Sequence, residues 1–393
     1  MTEKWIDIFA LSQFRAGIAK LPFGGRTVRI IIRNFIKGNK IRLTLANRYG
    51  KKGINISKVS VCNSDVNGKL LGESKIMTFN SEEYGIVRAK SSLTSDDMDY
   101  NIEEGYLSVS LFFKGRANIS SLNMLREKVI ISNKGDFTLN QEIIDSNRYV
   151  EKFLSKLFKI AGVPKSDIIP MLESVSVFSD TDKGAIIAFG DSITQGGKWS
   201  YELAERLKTP VLNLSISGNR ILRDCGMPIV RGLMGEAAIK RFDRDVITRQ
   251  GAKAIIIMLG TNDIGQPGTI IASKKEMVRP NDVINGLVSL DKRAKSIGLN
   301  TFVCTLTAFK HFRMGYIRDA MQVRQDTNKW IRENKIFNGV YDYDAMIRDT
   351  EDTEKIQKDY DSGDHLHPSD LGSVRMLDAV DINVLEEIIK DKK

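Results

Sequence analysis

Residues 185–189, Ala-Ile-Ile-Ala-Phe, run without a polar side chain into Gly190-Asp191-Ser192-Ile193-Thr194. A short apolar run stopped by glycine fits a strand buried on both faces, as in a parallel sheet covered by helices. Further segments rich in apolar residues at 211–216, 254–259, 301–306 and 340–343 read as strands as well. After the first run, Trp199, Leu203 and Leu207 recur at one-turn spacing and predict a helix over 199–207. Strands alternating with helices predict an α/β domain over residues 181–393, built on a doubly wound parallel sheet and closed by a helix over 371–389. Ser192 then stands just past the carboxyl end of the first strand, the edge where open α/β sheets build their sites.

Three further segments place glycine or polar residues beyond a strand or at a helix start, in one chain order. They are Ser217-Gly218-Asn219, Gly260-Thr261-Asn262-Asp263 and Asp361-Ser362-Gly363-Asp364-His365-Leu366-His367-Pro368. Singly, each has an ordinary reading. Gly218 is a turn glycine, and Ser192, Asn262-Asp263 and His367 are helix caps. As an ordered set over residues 184–393 they resemble the GDSL family of serine hydrolases, also called SGNH after four hallmark residues. Those four map here to Ser192, Gly218, Asn262 and His367.

The resemblance implies a flavodoxin-like, three-layer SGNH domain and a site that needs no cofactor. Acyl transfer requires a nucleophile, a base and donors for the developing oxyanion. Ser192 is implied as nucleophile and His367 as general base. Asp364, three residues upstream, can fold back to hold the other imidazole nitrogen. The backbone N–H groups of Ser192 and Gly218, with the side-chain amide of Asn262, are implied as the oxyanion donors.

Other motifs fit less well. His365 and His367, with Asp361, Asp364 and Asp370 nearby, have the residue types of a metal site. The chain has only three histidines, His311 being the third, so such a site would consume nearly all of them, and no metal is expected. Gly196-Gly197-Lys198 lacks the glycine at 191 or 192 and the hydroxyl at 199 that a phosphate loop requires. No Gly-x-Ser-x-Gly surrounds a candidate serine. Cys62, Cys225 and Cys304 are odd in number and widely spaced, which argues against a disulfide framework and for a reduced compartment.

The length of 393 residues allows two or three domains, and 42% hydrophobic with 27% charged residues is ordinary globular composition. Residues 1–140 read as an all-β, jelly-roll-like sandwich, with short β-branched segments at 27–35, 40–47, 54–62, 106–113 and 128–132. Residues 141–180 read as a connector. Val150, Phe153, Leu154, Leu157 and Ile160 recur there at helical spacing, Gly162 and Pro164 act as a stop, and 175–178 reads as a further strand. The first fifty residues hold ten Lys and Arg against Glu3 and Asp7, most of the chain's net charge of +10. Arg29 and Arg33 alternate with Val28, Ile30 and Ile32, so the basic residues read as the solvated face of strands, and no nucleic-acid motif accompanies them.

Gly25-Arg26-Thr27-Val28-Arg29, Arg42-Leu43-Thr44-Leu45-Ala46-Asn47 and Arg241-Phe242-Asp243-Arg244-Asp245-Val246 are similar to the SGNH subgroup with a β-sandwich ahead of the hydrolase domain. Its bacterial members are associated with carbohydrate breakdown as deacetylases or related esterases. The resemblance therefore implies an esterase acting on a short-chain, acetyl-type ester of a small sugar or oligosaccharide. A lipase, lysophospholipase or thioesterase on the same triad is the alternative, and an inactive carbohydrate-binding relative is a third. A lipid enzyme would need an apolar acyl channel, whereas 265–280 carries Lys274, Lys275, Glu276 and Arg279 and shows no long apolar face. The expected partner is a small-molecule or oligosaccharide ester, with neither nucleic acid nor membrane. Whether copies associate as a homo-oligomer is left open. The N-terminus has acids where a signal peptide would be basic, so a cytoplasmic location is expected unless a leader has been removed.

Overall fold

The computed structural model describes residues 3–16, 21–146, 167–227, 232–312 and 318–390. It divides into two compact units, Met1–Asp182 and Lys183–Lys393.

The N-terminal unit is built mainly from β1 (Lys4–Ala10), β2 (Arg26–Asn34), β3 (Gly38–Ala46), β4 (Lys58–Ser64), β5 (Gly105–Phe113), β6 (Lys128–Lys134) and β7 (Leu172–Ser179). One sheet runs β1-β7-β3 and adds short strands at Ser92–Thr94 and Met98–Ile102. The other runs β6-β2-β5-β4 and adds Lys75–Ile76. All these pairs are antiparallel, with Arg26 to Asn34 matched against Phe113 to Gly105 across β2 and β5. Ile41, Leu43, Leu45, Val175 and Val177 bury one face of the first sheet completely, as alternation along a half-covered strand requires. The unit is sandwich-like, as its composition suggests.

Two expectations need correction here. Residues 141–180 are not all connector, because β7 pairs with both β1 and β3, and Asp167–Pro170 pairs with Ser121–Leu125. The helical pattern at Val150, Phe153, Leu154, Leu157 and Ile160 lies outside the described residues. Arg29, expected on a solvated face, is fully buried. Its Nε donates to Ser110 Oγ at 2.9 Å, and its two terminal nitrogens donate to carbonyls of Gly68 (3.0 Å) and Asn140 (2.7 Å), with longer bonds to Phe137, Thr138 and Gln141. The loops on both sides of the sheet edge fold back over it, so a position polar by pattern becomes an interior anchor, its charge satisfied by carbonyls.

The C-terminal unit has a five-stranded parallel sheet of β8 (Ala185–Gly190), β9 (Val211–Asn213), β10 (Ala252–Met258), β11 (Asn300–Cys304) and β12 (Gly339–Tyr341), ordered β9-β8-β10-β11-β12. This is the flavodoxin-like order, with its switch point between β8 and β10. Ile186, Ile187, Ile255 and Ile256 are completely buried, which explains why these strands read as unbroken apolar runs. Its helices include α1 (Ser192–Gln195), α2 (Trp199–Leu207), α3 (Thr261–Gly265), α4 (Pro280–Lys295), α5 (Arg318–Glu333), α6 (Asp370–Arg375) and α7 (Ile382–Ile389).

The single closing helix expected over 371–389 is broken. After α6 comes a 3₁₀ turn at Met376–Ala379, and Asp381 then caps α7 by accepting from the Val384 N–H at 3.1 Å. The apolar spacing runs through the break, but an aspartate that bonds the next turn's backbone starts a new helix. Among the described residues, no helix is long and apolar enough to cross a membrane.

Candidate active site

Ser192 opens α1 directly after β8. Asp191 caps this short helix by accepting the Ile193 N–H at 3.0 Å, which fixes the turn that presents the serine. Ser192 and His367 are both buried, at 6% and 4% exposure, although 175 residues separate them in the chain. The turn at 361–367 supplies His367. Asp364 Oδ1 accepts the backbone N–H groups of Leu366 (3.0 Å) and His367 (2.8 Å), and its Oδ2 meets His367 Nδ1 at 2.6 Å. His367 Nε2 lies 2.8 Å from Ser192 Oγ. The turn is anchored through α6, whose Ser373 Oγ accepts the Trp199 N–H of α2 at 2.9 Å.

Burial alone would raise the Asp364 pKa. The hydrogen bond and charge of His367, with two backbone N–H groups, overcome this and hold the carboxylate well below its usual range. An ionised Asp364 fixes the proton on Nδ1 and leaves Nε2 as the acceptor facing Ser192. His365 is bonded to Asp361 Oδ2, at 2.8 Å through Nδ1. Both ring nitrogens of His367 are engaged, so this histidine offers no lone pair to a metal. Among the described residues, no group of three or more His, Cys, Asp or Glu is placed to hold an ion.

The two remaining hallmark positions join the same array from the back. Asn262 lies in α3 after β10, and its Nδ2 donates to Asp191 Oδ2 at 3.0 Å. Gln266, one turn later, donates through Nε2 to Asn262 Oδ1 (3.0 Å) and to the Gly218 carbonyl (2.8 Å). Flipping the Asn262 amide would set its oxygen against the Asp191 carboxyl and its NH₂ against the Gln266 NH₂, so its orientation is fixed. One of its two hydrogens is committed to Asp191, and the other remains. Gly218 has φ of +72°, a left-handed conformation in which a side chain is strained.

Three residues that the motifs contain without assigning them a role support the site. Asp263 accepts the N–H groups of Ile221 (2.7 Å) and Leu222 (3.0 Å), tying the segment after Gly218 to α3. Arg241, fully buried, donates to the Leu214 carbonyl at 2.9 Å, to Asn219 Oδ1 at 3.0 Å and to the Gly190 carbonyl at 3.3 Å. Its guanidinium lies over the Phe189 ring at 4.1 Å. Asp191 is the most perturbed of the group. Burial pushes its pKa up to about 7, against the Ile193 N–H, the charge of His367 and the Asn262 amide, while the nearby Asp263 adds to the rise.

A five-stranded parallel sheet with polar groups gathered at its carboxyl edge, on both sides of the switch point, defines a three-layer α/β enzyme domain. Residues 188–375 match the GDSL-like Lipase/Acylhydrolase family, and the chain carries a domain of that family, whose members are hydrolases. No curated protein matches the chain. Among solved structures it is similar to a GDSL-like lipase from Bacteroides thetaiotaomicron VPI-5482, at 20% identity over 52% of this chain and 88% of that one, with a TM-score of 0.38. It is similar to an acetyl-xylooligosaccharide esterase from Geobacillus Stearmophilus, at 20% identity over 54% and 96%, with a TM-score of 0.37. An acetyl xylan esterase is similar at 18% identity over 50% and 95%, with a TM-score of 0.35.

Proposed function

We propose that the protein is a serine esterase that removes short acyl groups, acetyl in particular, from a carbohydrate ester through an acyl-enzyme on Ser192. The observation that carries this reading is His367 bridging Ser192 Oγ at 2.8 Å and Asp364 Oδ2 at 2.6 Å. Ser192 Oγ attacks the ester carbonyl while His367 Nε2 takes its proton, and Asp364 stabilises the imidazolium that forms. The free hydrogen of Asn262 Nδ2 and the backbone N–H groups of Ser192 and Gly218 receive the oxyanion. His367 then returns the proton to the departing alkoxide, and water repeats the sequence to release the acid. In the 265–280 segment none of Lys274, Lys275 and Glu276 is buried and Glu276 is paired with Arg220 at 2.9 Å, while the apolar Ile270 and Met277 are exposed.

A fluorophosphonate should label the parent protein at Ser192, and Ser192→Ala should neither label nor hydrolyse p-nitrophenyl acetate. Retention of more than a few per cent of the parent kcat in Ser192→Ala would refute the nucleophile. Activity rising steadily with acyl length across p-nitrophenyl esters would favour a lipid or thioester enzyme instead.

A further inference from the structure

The turn that carries His367 contains a second Asp–His pair built the same way. Asp361 Oδ1 accepts the N–H groups of Gly363 (2.8 Å) and His365 (3.1 Å), and its Oδ2 meets His365 Nδ1 at 2.8 Å. The Asp361 side chain is 9% exposed while that of His365 is 49% exposed, so a sheltered carboxylate orients a solvent-facing ring. His311, in the loop after β11, meets the His365 ring edge-on at 6.2 Å, and the next residue, Phe312, meets the His367 ring edge-on at 6.5 Å.

His365 and His311 also share an unfavourable backbone, with φ of +67° and +73°. Non-glycine residues are held in the left-handed region only when their surroundings impose it, and such positions concentrate at ligand sites.

We propose that His365 and His311 form the subsite for the alcohol half of the ester, and that this alcohol is a neutral, hydroxyl-rich one such as a sugar. The inference rests on the serine esterase reading. His367 must hand a proton to the leaving oxygen, so the leaving group lies beside His367, whose ring Phe312 meets; His311 directly precedes Phe312 in the chain, and His365 stands two residues before His367. With its Nδ1–H donated to Asp361, His365 presents Nε2 as an acceptor for a hydroxyl. The ring edge of Phe312 offers an apolar contact for the C–H face of a sugar. Charge for an anionic headgroup is not supplied by the adjacent Lys310, which is turned to Asp352 (3.0 Å) and Glu354 (2.9 Å). A cationic headgroup finds the Asp361 carboxylate already engaged by His365.

The test compares kcat/KM for an acetylated xylooligosaccharide with kcat/KM for p-nitrophenyl acetate, whose leaving group has no hydroxyls. His365→Gly and His311→Gly remove each ring while suiting the backbone, and His365→Asn keeps a short polar side chain that tolerates the same φ. Each glycine variant should lower the selectivity ratio for the sugar ester by about tenfold, chiefly through KM, with a smaller drop for His365→Asn. A ratio unchanged in both glycine variants, with the parent active and Ser192 labelled by fluorophosphonate, overturns the subsite and leaves the esterase reading standing. Loss of Ser192 labelling in His365→Gly also overturns it, since His365 would then support the triad. A parent protein that neither labels nor hydrolyses either ester overturns both readings.

Discussion

A buried carboxyl is costly to ionise, and Asp191, beside Ser192, is one. Its pKa is raised from 3.8 to about 7, mainly by burial. A group raised above its unfolded value gives its full stabilisation below the unfolded pKa and loses it as pH climbs through the folded one. Asp191 therefore favours the native state below pH 3.8 and ceases to do so above about 7. Asp364 has the opposite sign: lowered from 3.8, it stabilises above that value, and the benefit goes as pH falls through its lower folded value. Urea midpoints of Asp191→Asn and the parent should thus diverge in the variant's favour as pH rises from 4 to 7, because asparagine carries no charge to bury. A difference constant across that window would show that Asp191 is not protonated preferentially in the folded state.

At the level of elements, α1, α3 and the segment after β9 are held in register by the chain Asp191–Asn262–Gln266–Gly218. On the esterase reading, Asn262→Ala should lower kcat by about 10²–10³ with little change in KM, since an oxyanion donor serves the transition state more than the bound ester. Gln266→Leu should lower kcat by roughly tenfold by freeing the Asn262 amide to rotate, and Asn262→Ala/Gln266→Leu should be no slower than Asn262→Ala alone, as residues acting through one network are non-additive. Full additivity in that cycle would separate Gln266 from the oxyanion machinery. The positions of Ser192, Gly218, Asn262, Asp364 and His367 were legible because each sits in a contiguous motif, past a strand for the first three and in the turn before α6 for the last two. Gln266 was not, because the Gly218 carbonyl it bonds lies 48 residues earlier in the chain. Arg29 misled for a related reason: alternation tells which face a residue is on, and not that loops from 68 and 137–141 will return to cover that face. The break between α6 and α7 was hidden by apolar spacing that continues across Asp381.

For the whole molecule, division into Met1–Asp182 and Lys183–Lys393, each with its own buried sheet, predicts two calorimetric transitions. A phosphonate adduct on Ser192 should raise the midpoint of one of them and leave the other in place. A single transition that shifts as a unit would mean that the two cores melt cooperatively. The separation of 175 positions between Ser192 and His367 carries a consequence of its own. On the esterase reading, a growing chain displays its serine long before the ribosome has made the histidine, and throughout that interval the hydroxyl is as inert as that of any free serine. Translation order thus acts as a safety catch: acyl donors in the cell meet a reactive Ser192 only after β12 and the turn at 361–367 have been made and have docked.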